Sequence, residues 1–449
     1  MQGKRKRRSE EESNPNGDVD AARSGLVSLN GLSYLLSPDL SVAVSRKHVT
    51  SFAQQPSYGP GQKVSIIMNS GSQYIDPQNS FIKLTVTNTT DASATFGLGS
   101  ALNLFRRIVI SSRSGDEIER VDRINKLACV LDRYGKSRHW MDTVGAGAGY
   151  NSSFGDVPSI DNYNSIMPVG HLNTEGKKSG ADARTYCIPL SSLSSLFRSY
   201  DKLLPSHLMS GCRFELELEA SKVAFKSVAG TTAPSIGYTV DDIELHCDAY
   251  TLTDSVTRVL NETAATSGLE IPFVTYSHVE DAVSQGSNNW EIRKAVSRSL
   301  SVITKLSVQE TVAGEETKDS MRSVEHNIES FQCRVGSLYF PNNPVSGDSA
   351  DRTLTSMYFH AMHAFGKPKT PSAPSGVTLG EYKSHLGAIV TTLERSSALL
   401  LTGVPVNASR VCEVRARVKD ANAANLTADS WLSYVRLIRV FINQVEVEE

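Results

Sequence analysis

His360 and His363 form the one close imidazole pair in the chain, three residues apart with Ala361 and Met362 between them. A zinc protease needs histidines four apart with a glutamate between them, so this pair points to a helix surface or to packing. The glycines of Gly145-Ala146-Gly147-Ala148-Gly149 invite a phosphate-cradle reading. Such a cradle follows a strand, opens a helix and, in the P-loop, ends in Gly-Lys-Ser/Thr; that context is missing, so a flexible surface loop is expected. Asp241 with Asp242, Glu315 with Glu316, and the terminal Glu446, Glu448 and Glu449 lack the partner spacing of calcium binding or paired acid/base catalysis. Solvated strand ends account for them. The six cysteines, Cys129, Cys187, Cys212, Cys247, Cys333 and Cys412, lie far apart with no CxxC, which suits isolated, reduced, buried thiols better than a disulfide framework or a zinc site. With no Gly-x-Ser-x-Gly elbow, the expectation is a chain that is not an enzyme, with no catalytic residues, no cofactor and no metal. One charged motif remains. Lys4, Arg5, Lys6, Arg7 and Arg8 read as a nuclear-import signal or a weak nucleic-acid contact, although Glu10, Glu11, Glu12, Asp18 and Asp20 neutralise them within twenty residues.

The elements that would position any site are overwhelmingly strands. At 449 residues the chain exceeds what one core supports and suits two domains of about 200 residues each. Its 46 Lys and Arg against 48 Asp and Glu exclude a wholly basic nucleic-acid binder. No apolar run approaches the ~20 residues of a membrane span, and the N-terminus lacks the apolar centre of a signal peptide, so synthesis in the cytoplasm without secretion is expected. Period-two alternation marks strands from Lys63 onward: Val64, Ile66 and Met68; Phe81 to Thr87; Ile108 to Ile110; then Phe214, Leu216 and Leu218 against Glu215, Glu217 and Glu219. A helix is expected over 120–134, with Val121, Ile124, Leu127, Ala128 and Leu131 on one face and charges opposite. Residues 238–252 read as a strand and 255–260 as a helical turn. The second half repeats the texture, with strands at 271–279, 299–306, 330–340, 389–393, 411–418 and 431–447 and a helix at 354–365. This gives a disordered arm at 1–45 and β sandwiches at 46–255 and 256–449, without the βαβ alternation of a parallel sheet.

Several stretches, in order, resemble the double-jelly-roll major capsid proteins of the adenovirus, virophage and polinton-like lineage. They are Gln73-Tyr-Ile-Asp-Pro-Gln-Asn-Ser-Phe-Ile-Lys-Leu-Thr-Val86, Ala101-Leu-Asn-Leu-Phe-Arg-Arg-Ile-Val-Ile-Ser111 with the helix after it, Leu203-Leu-Pro205 with Phe214-Glu-Leu-Glu-Leu218, Asp241-Asp-Ile-Glu-Leu-His-Cys-Asp-Ala-Tyr250, and Tyr434-Val-Arg-Leu-Ile-Arg-Val-Phe-Ile-Asn-Gln-Val-Glu-Val447. The likeness covers most of the chain from about residue 60, in texture and order and without fixed signature residues. It implies an all-β fold of two tandem jelly rolls with short inserted helices. It implies a homotrimer with a pseudo-hexagonal outline that tiles an icosahedral shell in the virion capsid of a DNA virus, with minor capsid and penton proteins as partners. It also implies modest tower loops, for which 143–184, 307–328 and 366–382 are the candidates. Two alternatives stay open: a single-jelly-roll coat protein with a projecting domain and a genome-binding basic arm, and a lectin-like ligand-binding β-sandwich using Trp140 and Trp290 as exposed aromatics.

Overall fold

The computed structural model describes residues 43–89, 94–96, 98–150, 171–172, 183–227, 237–308, 321–323, 328–347, 354–365, 376–394, 403–419, 426–442 and 444–449. Among the described residues, eight strands of five or more residues precede residue 253: β1 (Ala43–Phe52), β2 (Lys63–Ile67), β3 (Tyr74–Asn88), β4 (Phe105–Ser111), β5 (Glu117–Asp122), β6 (Ala183–Pro189), β7 (Arg213–Leu218) and β8 (Tyr238–Leu252). They form two antiparallel sheets in the orders β1-β8-β3-β6 and β2-β7-β4-β5. The alternation dictates the layering. Ile82, Leu84 and Val86 of β3 are fully buried while Lys83, Thr85 and Thr87 between them are half-buried, so one face of the sheet is dry and the other wet. Phe214, Leu216 and Leu218 of β7 likewise point inward, between Val64 and Ile66 of β2 and Ile108 and Ile110 of β4.

The second half repeats the scheme with β9 (Leu269–Val283), β10 (Gly286–Ile292), β11 (Val296–Val308), β12 (Ile328–Val335), β13 (Leu338–Ser346), β14 (Ile389–Thr392), β15 (Val404–Val406), β16 (Cys412–Val418), β17 (Leu426–Val440) and β18 (Val445–Glu448). Its sheets run β9-β17-β11-β14 and β10-β16-β12-β13, with β15 added to β11 and β18 to β17. Leaving aside these two additions, the order is that of the first half, strand for strand. Each sandwich also carries a helix at the same place in its order, between its fifth and sixth strands: α1 (Ile124–Gly135) in the first and α3 (Thr355–Ala364) in the second. Helix α2 (Asp254–Thr266) joins the two halves.

The expected helix over 120–134 begins later than its periodicity suggested. Residues 117–122 continue the sheet as β5, and the chain turns at Arg123, which adopts the left-handed conformation (φ 52°). Pairing of β5 with β4 decides the local structure where helical and strand patterns overlap. The turn expected at 255–260 extends to the full thirteen residues of α2. The alternative of one jelly roll plus a projecting domain fails, because both halves contain the same order of eight strands in two sheets.

Candidate functional site: the seam between the sandwiches and the exposed faces

The two sandwiches meet along a seam of side-chain contacts. Arg436, near the end of β17, donates to the Ile118 carbonyl near the start of β5 at 2.7 Å. Trp431, further back along β17, donates through Nε1 to the Asp122 carbonyl at the end of β5 at 3.2 Å. These contacts matter because β5 is the outer strand of its sheet, and an unpaired strand edge is a template for mispairing. Here side-chain donors of the second sandwich occupy its carbonyls. Ser199 of the first sandwich reaches the Val274 carbonyl of β9 at 3.4 Å, so the outer strand of the facing sheet is engaged too.

The same seam holds an ionic cluster, buried except at Glu280. Lys126 Nζ sits 2.8 Å from Asp429 Oδ2, with side-chain exposures of 1% and 0%. The other oxygen of Asp429 is 2.9 Å from His278 Nε2. Arg123 bridges Glu219 at 3.3 Å and Glu280 at 3.0 Å, and Asn125 adds a bond to Glu219 at 3.0 Å. Burial alone would raise the Asp429 pKa; Lys126 and His278 outweigh it and hold the carboxyl well below the usual carboxylate range. Further along α1, Tyr134 donates to the Leu386 carbonyl at 2.7 Å, and its ring lies 5.0 Å from that of Phe365. Helix α1 is therefore buried on the charged face that sequence periodicity assigned to solvent. Lys126, Asp132 and Arg133 are each at most 1% exposed, with Asp132 held by Tyr150 (2.7 Å), Lys136 (3.1 Å) and Arg198 (3.0 Å).

His278, Glu280 and Asp429 are close enough to hold a metal ion. The cations already there speak against one: Lys126 fills one oxygen of Asp429 and Arg123 pairs with Glu280.

The candidates singled out in the sequence separate clearly. Lys4, Arg5, Lys6, Arg7 and Arg8 lie outside the described residues, as do Glu315 and Glu316 and most of the three candidate tower loops. His360 and His363 are exposed on α3. The glycine stretch is not an open surface loop: Val144–Gly147 is a helical turn, Gly149 (φ +81°) packs its backbone against the Tyr186 ring, and Ala148 and Tyr150 are buried. Asp241 accepts bonds from Thr87 and Thr239 within the sheet. Glu448 and Glu449 are ion-paired, to Arg439 at 2.6 Å and to Lys294 at 2.5 Å. Five cysteines are buried and Cys187 is exposed. Cys333 and Cys412, 79 apart in sequence, nevertheless have sulfurs 3.5 Å apart across β12 and β16. Trp290 is not an exposed aromatic: it is buried and donates to Ser430 at 2.7 Å. The half-buried Trp140 ring is covered by Lys136 Nζ at 3.7 Å. That removes the observation behind a lectin-like reading.

Among the described residues no helix is long and apolar enough to cross a membrane. Two cavities open on the surface of the described residues. The larger, about 720 Å³, is lined by the turns at Gly71, Ser112 to Ser114 and Ser206 to Ser210 and by Gln444. The smaller lies along α2 beside Ile442.

No protein-family model matches the sequence, and no curated protein matches it. The structure, by contrast, is similar to solved chains over nearly its whole length. A chain of the Sputnik virophage, solved by cryo-EM, is 8% identical and superposes with a TM-score of 0.61 over 91% of this chain and 89% of its own. A chain of the PBCV-1 virus capsid is 9% identical, with a TM-score of 0.58 over 93% and 99%. The Faustovirus major capsid protein is 8% identical, with a TM-score of 0.56 over 94% and 96%. The fold is the double jelly roll. In the double jelly roll of this chain, the seam residues Arg123, Lys126, His278, Glu280, Asp429 and Arg436 were not singled out from sequence. The available signal was charge where alternation left no room for it, as with Asp429 and Arg436 inside the long apolar stretch of β17.

Proposed function

We propose that this chain is the major capsid protein of an icosahedral DNA virus, a structural and non-enzymatic component of the virion capsid. The observation that carries the proposal is the pairing of two sandwiches of one strand order, joined by a buried polar seam, in a fold similar along almost all of the chain to solved virus chains including the Faustovirus major capsid protein. Two jelly rolls per chain supply two similar outlines, so three chains would supply six, and a closed homotrimer with a pseudo-hexagonal outline follows as the capsomer. We take 46–255 and 256–449 as the two units and 1–45 as an arm. On this reading the partners are further copies in a capsid lattice, with minor capsid and penton proteins at its junctions. The basic run Lys4 to Arg8 serves nuclear import or a weak nucleic-acid contact.

Size-exclusion chromatography with light scattering tests this. A species near three times 48.8 kDa, with a hexagonal outline in negative stain, is the expected result. A monomer at all concentrations and ionic strengths overturns the proposal.

A further inference from the structure

The wet face of the first sandwich carries two histidines that meet across strands β1 and β8. His48 Nε2 lies 2.8 Å from His246 Nδ1, with the rings stacked 5.1 Å apart at 26°. The remaining nitrogen of each ring faces a carboxylate: His48 Nδ1 lies 3.3 Å from Asp248 Oδ1, and His246 Nε2 lies 2.8 Å from Glu244 Oε2. Each carboxylate is anchored in turn, Asp248 by Arg46 and Glu244 by Lys83 at 3.1 Å. Ion-paired to these cations, both carboxylates serve the rings as acceptors. Phe81 stacks on the His246 ring at 4.8 Å and fixes it, while the His48 side chain is 49% exposed and free to adjust.

The protons decide what this arrangement can hold. An ionised carboxylate only accepts, so each outer nitrogen must donate an N–H. A neutral imidazole has one N–H, which leaves lone pairs on both inner nitrogens, pointed at each other. Two lone pairs at 2.8 Å repel unless a cation lies between them. The carboxylate–imidazole–metal relay has this form, with the outer acceptor fixing the tautomer and raising the basicity of the ligating nitrogen.

From this geometry we infer that His48 Nε2 and His246 Nδ1 form a surface site for a borderline divalent transition-metal ion, zinc in the first instance. Two nitrogens at tetrahedral zinc distances of about 2.0–2.1 Å stand about 3.3 Å apart, so the rings must part by roughly half an ångström, which His48 can supply. The remaining positions open to solvent and to water ligands. The Thr50 hydroxyl, 3.3 Å from His246 Nδ1, lines the opening. Imidazole pairs favour zinc, copper and nickel over magnesium and calcium.

Isothermal titration of the full-length chain with zinc chloride at pH 7.5 tests the site, with copper(II) chloride and electron paramagnetic resonance as the spectroscopic arm. Expected are saturable binding of one zinc per chain, loss of that binding in H48A and in H246A, weakening by about 10–100-fold in E244Q or D248N, and a copper signal with two nitrogen ligands. H48A alters a half-exposed side chain, and an unchanged melting temperature shows that loss of binding is not loss of fold. Absence of saturable binding overturns the inference and leaves a shared proton between the rings. Zinc binding that survives H48A also overturns it and places the metal elsewhere, as at His360 and His363.

Discussion

Replacing Lys126 with methionine removes one charge from the seam and leaves Asp429 buried. The two groups are 2.8 Å apart and at most 1% exposed, so water cannot replace the lost partner, and His278 alone must balance the carboxylate. Breaking one side of such a buried pair costs about 3–5 kcal/mol. Unfolding entropy of ~2.1 cal/mol/K per residue gives about 0.9 kcal/mol/K over a chain of this length. The expected drop in melting temperature is therefore roughly 3–5 °C. Differential scanning calorimetry of the wild type, K126M, D429L and the double variant closes a double-mutant cycle. The double variant should recover much of the loss, since an apolar pair of similar volume often replaces a buried ion pair at little cost. A K126M melting temperature within 1 °C of wild type, or a double variant whose loss equals the sum of the singles, would refute a charge-coupled seam.

Acid should loosen the same region. The Asp429 and Asp132 carboxyls both lie below their ordinary range. Their stabilisation is therefore fully present above the unfolded value of about 3.9 and is lost as pH falls through the depressed folded values; D429N should flatten the stability curve below pH 4 in denaturant titrations. Trp290→Phe removes the indole N–H that Ser430 accepts at 2.7 Å and should cost about 1–2 kcal/mol in guanidinium unfolding; no change would mean that Ser430 is satisfied by Thr304 alone, 2.8 Å away. Gly149→Ala places a Cβ 3.1 Å from the Tyr186 ring at a left-handed backbone position and should lower soluble yield and melting temperature. Deleting residues 1–20 should leave particle assembly intact as read by electron microscopy, whereas loss of particles would move the basic run into the assembly machinery.

The strands and their faces were legible because burial on one side of a sheet writes a two-residue period. Phe214, Leu216 and Leu218 declare which side of β7 is dry with no knowledge of the partner strand. The helix at α1 was legible for the same reason, but its start was not, since Val121 fits an apolar helical stripe and an inward strand position equally well. What periodicity cannot carry is a second burial. Lys126, Asp132 and Arg133 occupy the polar face of an amphipathic helix; Lys126 is buried against Asp429 of the other sandwich, and Asp132 is covered by Tyr150 and Arg198 from elsewhere in its own. The metal-like cluster of His278, Glu280 and Asp429 and the facing pair His48 and His246 were invisible for a related reason. Their members lie about 150 and 200 residues apart, and only strand pairing brings them together. The exposed-tryptophan reading failed because aromatic content says nothing about which face a ring occupies.

The donors that reach the β5 carbonyls also set what the molecule can do under load. An oily contact lets two bodies creep past one another, since one apolar neighbour serves as well as the next. A hydrogen bond from Trp431 to the Asp122 carbonyl and another from Arg436 to the Ile118 carbonyl have no equivalent partner one step along the strand, because a shift of one residue turns the carbonyl to the other edge. The paired sandwiches thus have a keyed joint, and sideways stress on one is passed to the other as shear with little slip. A shell assembled from such pieces would yield at the borders between chains before it yielded within one.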